Sequence, residues 1–317
     1  MKVALAQINT TVGDLEGNVQ RIEQSMDRAT SRGAHVVVFP ELAVTGYPPQ
    51  DLLFEKEFIR MNIQSLKMMT RRRRKTVAVI GFVDLESNRL FNSAAVIAYG
   101  RNLGVVHKTL LPTYDIFDEA RYFSPGTKRE IRPISIQAEG KEINLGVEIC
   151  EDLWDKAYDV KVTDVLAARG ADMIVNLSAS PFYAGKWSER LRILKRKAIR
   201  NGVPMFYANL VGGQDELVFD GGSLAVDCRG NLIAASKRFE EDLTIVEIDP
   251  AKGRGTRVSP PIRSQDQEMF DALVLGVRDY FRKTGFQRAV VAMSGGIDSS
   301  VSACIAVEAL GNANVIG

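Results

Sequence analysis

INLGVEIC, residues 143–150, and ADMIVNLS, residues 171–178, bracket a helical stretch near 160–169. Short, nearly unbroken apolar runs of this kind mark strands buried on both faces, and one helix between two of them is a βα repeat. The alternation recurs in both directions. Residues 2–8 and 35–39 predict strands, and Asp14 and Asn18 offer helix-start chemistry before a periodic stretch ending near Gly33. A helix is expected around 55–73, then strands at 76–82, 93–99 and 103–106. A helix over roughly 186–201 precedes strands at 204–210, 222–228, 231–236 and 243–248, with DCRGNL (227–232) as a hairpin turn. The pattern predicts an α/β protein with sheets covered by helices. Periodicity leaves the number of sheets open.

Residues 250–263, PAKGRGTRVSPPIR, read as a linker, because Pro and Gly punctuate them and apolar periodicity lapses. The expected division is therefore 1–250, a linker at 251–263, and 264–317. In the last part 264–284 predicts an amphipathic helix, 288–293 a strand, SGGIDSS (294–300) a turn, and a further helix to about 310; NVIG (314–317) looks like the start of another strand. Three dispersed cysteines and two histidines argue against a structural metal site and fit a reducing compartment. With a net charge of +2, no signal-like N-terminus and no run of about 20 apolar residues, the expectation is a cytoplasmic protein that binds neither nucleic acid nor membrane.

Three residues stand where strands end. Cys150 closes INLGVEIC, where a thiol can point into a cleft, and its thiolate would need a nearby base or cation. Glu41 follows another buried run in VVVFPELAVTGYPP, where Pro40 and the Gly46–Pro49 cluster turn the chain away. Lys108 follows a third in VVHKTLLPTY, and its ammonium can meet an oxyanion. Each alone is commonplace. Jointly they supply the base, nucleophile and electrophilic partner of a covalent amidase. Cys228 and Cys304 lack such neighbours, and His107 is expected to pack beside Lys108 without a catalytic role.

FPELAVTGYPP, HKTLLPTY and GVEICEDLW resemble, in order and spacing, the three signatures of the nitrilase (carbon–nitrogen hydrolase) superfamily. The resemblance covers about residues 1–250. It implies a four-layer α-β-β-α sandwich, Glu41 as base, Lys108 as oxyanion partner and Cys150 as nucleophile, with no cofactor in this part. Glu119, in DEARYF, matches the family's second glutamate, which orders the lysine and the leaving ammonia. Members assemble further, so a homo-oligomer is implied. The stretch NLSASPFYAGKWSERL (176–191) is similar to the substrate loop of the glutaminase domains in glutamine-dependent NAD synthetases. On that likeness Ser178 and Ser180 hydrogen-bond the amino acid, Arg190 holds its carboxylate, and Tyr114 and Trp154 close the pocket around glutamine.

RAVVAMSGGIDSSVSACIAVEAL reads strand, Gly-rich turn, helix, an arrangement whose backbone N–H groups cradle phosphate. It lacks the GK[ST] ending of a Walker loop. It resembles instead the SGGxDS loop of ATP pyrophosphatases, which implies ATP contacts from Ser294, Gly295, Gly296, Asp298, Ser299 and Ser300, with Mg2+. A nitrilase-type amidase ahead of such a loop is similar to the glutamine-dependent NAD synthetase family, which uses ATP and ammonia from glutamine to amidate deamido-NAD. Only 23 residues follow Ser294, too few for a doubly wound ATP-binding domain. The expectation is the N-terminal part of a longer enzyme whose segment after about 264 is mobile or packed abnormally. A free-standing amidase with another small substrate, or a non-enzymatic scaffold on the same fold, are the alternatives. RRRRK (71–75) is expected to be a solvated helix end rather than a nucleic-acid patch, and YPPQDLLF (47–54) a rigid loop or a lid.

Overall fold

A computed structural model describes residues 1–317. The chain begins with β1 (Lys2–Gln7), α1 (Leu15–Ser31), β2 (Val36–Val38), α2 (Lys56–Arg71), and the antiparallel run β3 (Val77–Glu86), β4 (Arg89–Ala98) and β5 (Arg101–His107). It continues through β6 (Ile134–Ala138), β7 (Lys141–Ile149), α3 (Val162–Ala168), β8 (Met173–Ser178), α4 (Lys186–Asn201) and β9 (Met205–Asn209). Then come β10 (Val211–Gln214), β11 (Leu217–Asp220), β12 (Leu224–Val226), β13 (Leu232–Ala235), β14 (Asp242–Asp249) and β15 (Arg254–Gly255). The last elements are α5 (Gln265–Thr284), β16 (Ala289–Val290), α6 (Ile297–Leu310) and β17 (Val315–Ile316).

Two large sheets settle what periodicity left open. One has the order β15-β14-β1-β2-β3-β4-β5, the other β13-β12-β9-β8-β7-β6. Alternating side chains divide each strand between two cores. Val3, Leu5, Val36, Val38, Val77 and Val79 meet Leu145, Val147, Val175, Leu177 and Phe206 between the sheets. Their neighbours Ala4, Val37, Ala78 and Ile80 face outward against Ile22 and Met26 of α1 and Leu66 and Met69 of α2. Ile174, Met205 and Leu224 likewise face Leu166 of α3 and Leu194 and Ala198 of α4. The result is the four-layer α-β-β-α sandwich. No helix is long and apolar enough to cross a membrane.

Several expectations change. β6 and the β10–β11 hairpin were not read as strands: ISIQA is only five residues long, too short a run to stand out, and VGGQ carries two glycines. Within 251–263, Arg254 and Gly255 pair with Asp249 and Ile248 rather than leaving the fold. The expected strand at 288–293 is reduced to Ala289–Val290. The segment after 264 does not sit loose at its start. α5 is capped by the Ser264 hydroxyl, which accepts the Gln267 N–H, and it buries Ala272, Leu275 and Asp279. Asp279 Oδ2 accepts from Asn9 Nδ2 at 2.6 Å and Gly213 N at 2.8 Å, so helix and sandwich are tied through one buried carboxylate.

Candidate active site

Glu41 lies in the turn after β2, which is laid flat on β3. Gly81 makes that possible, because a Cβ there would come within 2.4 Å of Leu42 N and 2.5 Å of Pro40 O. Lys108 follows β5 of the same sheet. Cys150 comes from the other sheet, as the first residue of the short 3-10 turn Cys150–Leu153 after β7. Its φ is +43°, the left-handed region where a side chain is strained, and this sharp elbow turns the thiol out of the strand.

The three loops converge. Lys108 Nζ donates to Glu41 Oε1 at 2.7 Å and to Glu119 Oε1 at 2.8 Å. Glu41 also accepts from Asn92 Nδ2 at 2.7 Å and, through Oε2, from the Ala179 N–H at 2.9 Å. Tyr47 donates to Glu119 Oε1 at 3.0 Å, while Glu119 Oε2 is buried without a partner. Burial pulls the Lys108 ammonium down, but the two carboxylates outweigh it and hold it well above the ordinary lysine value. Burial, reinforced by Glu41 and only partly offset by Lys108, holds the Cys150 thiol well above its ordinary value. A nucleophile held in this way would need a base to take its proton. Glu119 is pushed up by burial against the opposing pull of Lys108.

Cys150 lines a cavity of about 490 Å³. Tyr114, Trp154 and Ser180 line it too. Ser178 and Arg190 do not. Ser178 is fully buried, its hydroxyl donating to Asn176 Oδ1 at 2.6 Å. Arg190 is also fully buried, donating to Asp220 Oδ1 at 2.7 Å and to the Ser180 carbonyl at 2.8 Å. One helical turn carries its guanidinium behind the cavity wall. The cation that does line the cavity is Lys186, its Nζ 3.8 Å from the Trp154 ring centroid. Which of two residues four apart faces a cavity depends on how deep α4 sits, which helical spacing does not give. Asn92 and Tyr47 were missed as well. No spacing signals Asn92, whereas Tyr47 stood inside the quoted Glu41 stretch. His107 is stacked on Phe91 at 4.1 Å, with Nε2 3.1 Å from Asp84.

Ser294, Gly295, Gly296 and Asp298 are exposed, with Ser299 and Ser300 half-buried. Ser294, Gly295 and Gly296 form the turn between β16 and α6, and Asp298, Ser299 and Ser300 lie in the first turn of α6, where Ser299 and Ser300 donate to the Gly296 carbonyl at 3.0 and 2.9 Å. β16 and β17 run parallel on either side of α6, making one βαβ unit. Arg72 and Arg74 of the basic run pair with Glu23 and Asp27 of α1.

Residues 2–258 match the carbon–nitrogen hydrolase family, and residues 269–317 match NAD synthase. A curated glutamine-dependent NAD(+) synthetase from a Synechocystis strain is 40% identical over 99% of this chain and 58% of its own length. One from Thermotoga maritima is 39% identical over 100% of this chain and 60% of its own length. The chain thus spans 58–60% of the length of these two relatives. A solved glutamine-dependent NAD+ synthetase from Acinetobacter baumannii, in complex with ADP, superposes with a TM-score of 0.91 at 34% identity, covering 99% of this chain and 58% of that one. An amidase from Nesterenkonia sp. superposes at 0.68 with 25% identity, over 80% of this chain and 92% of that one.

Proposed function

The chain belongs to the carbon–nitrogen hydrolase family, and we propose that residues 1–250 hydrolyse the side-chain amide of glutamine through Cys150. The observation that carries this reading is the buried Lys108 ammonium bridging Glu41 and Glu119 beside a cysteine elbow that opens on a cavity. Glu41 takes the Sγ proton, and sulfur attacks the carboxamide carbon. The oxyanion is held by Lys108, which its carboxylates keep charged. Collapse expels ammonia, to which Glu41 returns the proton, and the unpartnered Oε2 of Glu119 is the acceptor that orders it. Water then cleaves the thioester to glutamate and regenerates the thiol.

Glutamine is favoured over simpler amides by the second end of the cavity. Lys186 supplies a cation for the α-carboxylate, while Ser180, Tyr114 and the carboxylates of Glu151 and Glu189 surround the place for an α-ammonium.

The ammonia is consumed, in this reading, by an ATP-dependent synthetase that starts after the linker. It converts deamido-NAD to NAD, with the SGGIDSS loop holding the pyrophosphate of ATP alongside Mg2+. The NAD synthase match at 269–317 and the similarity running through this segment support it over a free-standing amidase. The test is glutamate release from glutamine beside a panel of simple amides, with Cys150→Ala as control. Glutamine should be the preferred substrate and the variant inactive; preference for a simple amide, or turnover by Cys150→Ala, would overturn the proposal.

A further inference from the structure

Two acidic residues follow the cysteine, and they part company. Glu151 turns to the cavity and accepts from the Tyr114 and Tyr158 hydroxyls. Asp152 turns inward, 1% exposed. Its Oδ2 accepts the N–H of Ile149, the residue before the nucleophile, at 3.0 Å. Its Oδ1 accepts the N–H groups of Thr109 at 3.0 Å and Leu110 at 2.9 Å, the two residues after Lys108. No cation lies within ion-pair distance; all three donors are main-chain amides.

This matters because Cys150 and Lys108 belong to different sheets, and no strand pairing joins those sheets. The contact between them is mostly apolar side chains, whose attraction is non-directional; the Ala179 N–H to Glu41 Oε2 bond crosses between them but ties down the carboxylate, not the sulfur. Packing alone does not define the position of a sulfur to the few tenths of an ångström that attack on an amide requires. The elbow is also strained at φ +43° and persists only where its surroundings over-determine it. Burying a carboxylate is costly unless its hydrogen bonds are made, and those of Asp152 are made to the two backbone segments that carry nucleophile and ammonium.

We propose that Asp152 is a positioning residue for amide hydrolysis: its carboxylate staples the Cys150 elbow to the main chain beyond Lys108 and so sets the geometry between sulfur and ammonium. The inference rests on the reading of Cys150 and Lys108 given above.

Asp152→Asn is nearly isosteric. Its carbonyl keeps the Thr109 and Leu110 bonds, but its amide meets the Ile149 N–H donor against donor, so only the elbow arm is released. Asp152→Ala releases both. The measurements are kcat and KM for glutamine, per folded protein by circular dichroism, and the rate at which iodoacetamide alkylates Cys150, followed on its peptide by mass spectrometry. Asp152→Asn should lower kcat by about tenfold or more and Asp152→Ala by about a hundredfold, with KM moving less than about threefold, and both should change the alkylation rate. Unchanged kcat and alkylation in folded Asp152→Asn, a loss in KM alone, or a loss that tracks only the unfolded fraction would overturn the proposal. A wild-type chain that is alkylated at Cys150 but spares glutamine would sink the glutaminase reading instead, and the alkylation comparison would still decide the role of Asp152.

Discussion

Lys108 Nζ lies 2.7 Å from Glu41 Oε1, with the two side chains 1% and 0% exposed. A charge pair this deep is stabilising only as a unit, since removing one partner leaves the other buried and uncompensated.

Lys108→Met should therefore do two things. Loss of the oxyanion partner should lower kcat for glutamine by about 10²–10³-fold. Glu41 and Glu119, no longer separated by a cation, should destabilise the fold by about 3–5 kcal/mol. Kinetics and denaturant unfolding check the two parts separately.

Glu41→Gln should move two measurements in opposite directions. Without its base the enzyme should lose about 10²–10⁴-fold in turnover. Burial remains, but the carboxylate that also raises the Cys150 thiol is gone and Lys108 is freed to stabilise a thiolate. Alkylation of Cys150 at neutral pH should become faster than in wild type.

Lys186 and Arg190, one helical turn apart, should part cleanly. Lys186→Met should raise KM for glutamine, by about 1.5–3 kcal/mol of lost charge-assisted binding, with stability little changed. Arg190→Ala should act on stability, because it strips one of two arginines from the fully buried Asp220; the other, Arg238, tempers the loss to below the roughly 3–5 kcal/mol of a broken buried pair. Equal KM effects from both variants would restore Arg190 as a ligand.

Docking of α5 should be pH-dependent through Lys283, which donates to the Thr10 and Gly213 carbonyls at 2.7 and 2.8 Å. Burial lowers it to about 8 from the ordinary 10.5. Between those values the unfolded chain holds a proton that the folded chain has released, so the contribution of Lys283 to stability rises with pH across that window and is lost as pH falls through 8. The Tm of wild type relative to Lys283→Met, compared below and above pH 8, checks the sign.

Much of the scaffold was legible because its signals are local. Strands β1, β2, β7 and β8 are apolar runs bounded by turn residues, and α4 was expected over 186–201, the limits it occupies. The three catalytic candidates were legible because each stands where a strand ends. Arg190 is buried and Lys186 lines the cavity, a difference the spacing does not show because it gives a shared helix face, not the depth at which the helix is buried. The β10–β11 hairpin escaped because two glycines carry no alternation, and its role as the seat of α5 exists only once the chain has closed.

Residues close along the chain were enough to mark the α/β class, most of the order of strands and helices, and the candidate thiol, carboxylate and ammonium. Which of these groups touch was settled by long-range folding. Glu41 reaches Lys108 across 67 residues and Ala179 across 138, and Asp152 reaches Thr109 across 43. Those distances are set by how two sheets, without a hydrogen-bonded seam between them, pack face to face, and no local pattern encodes that register.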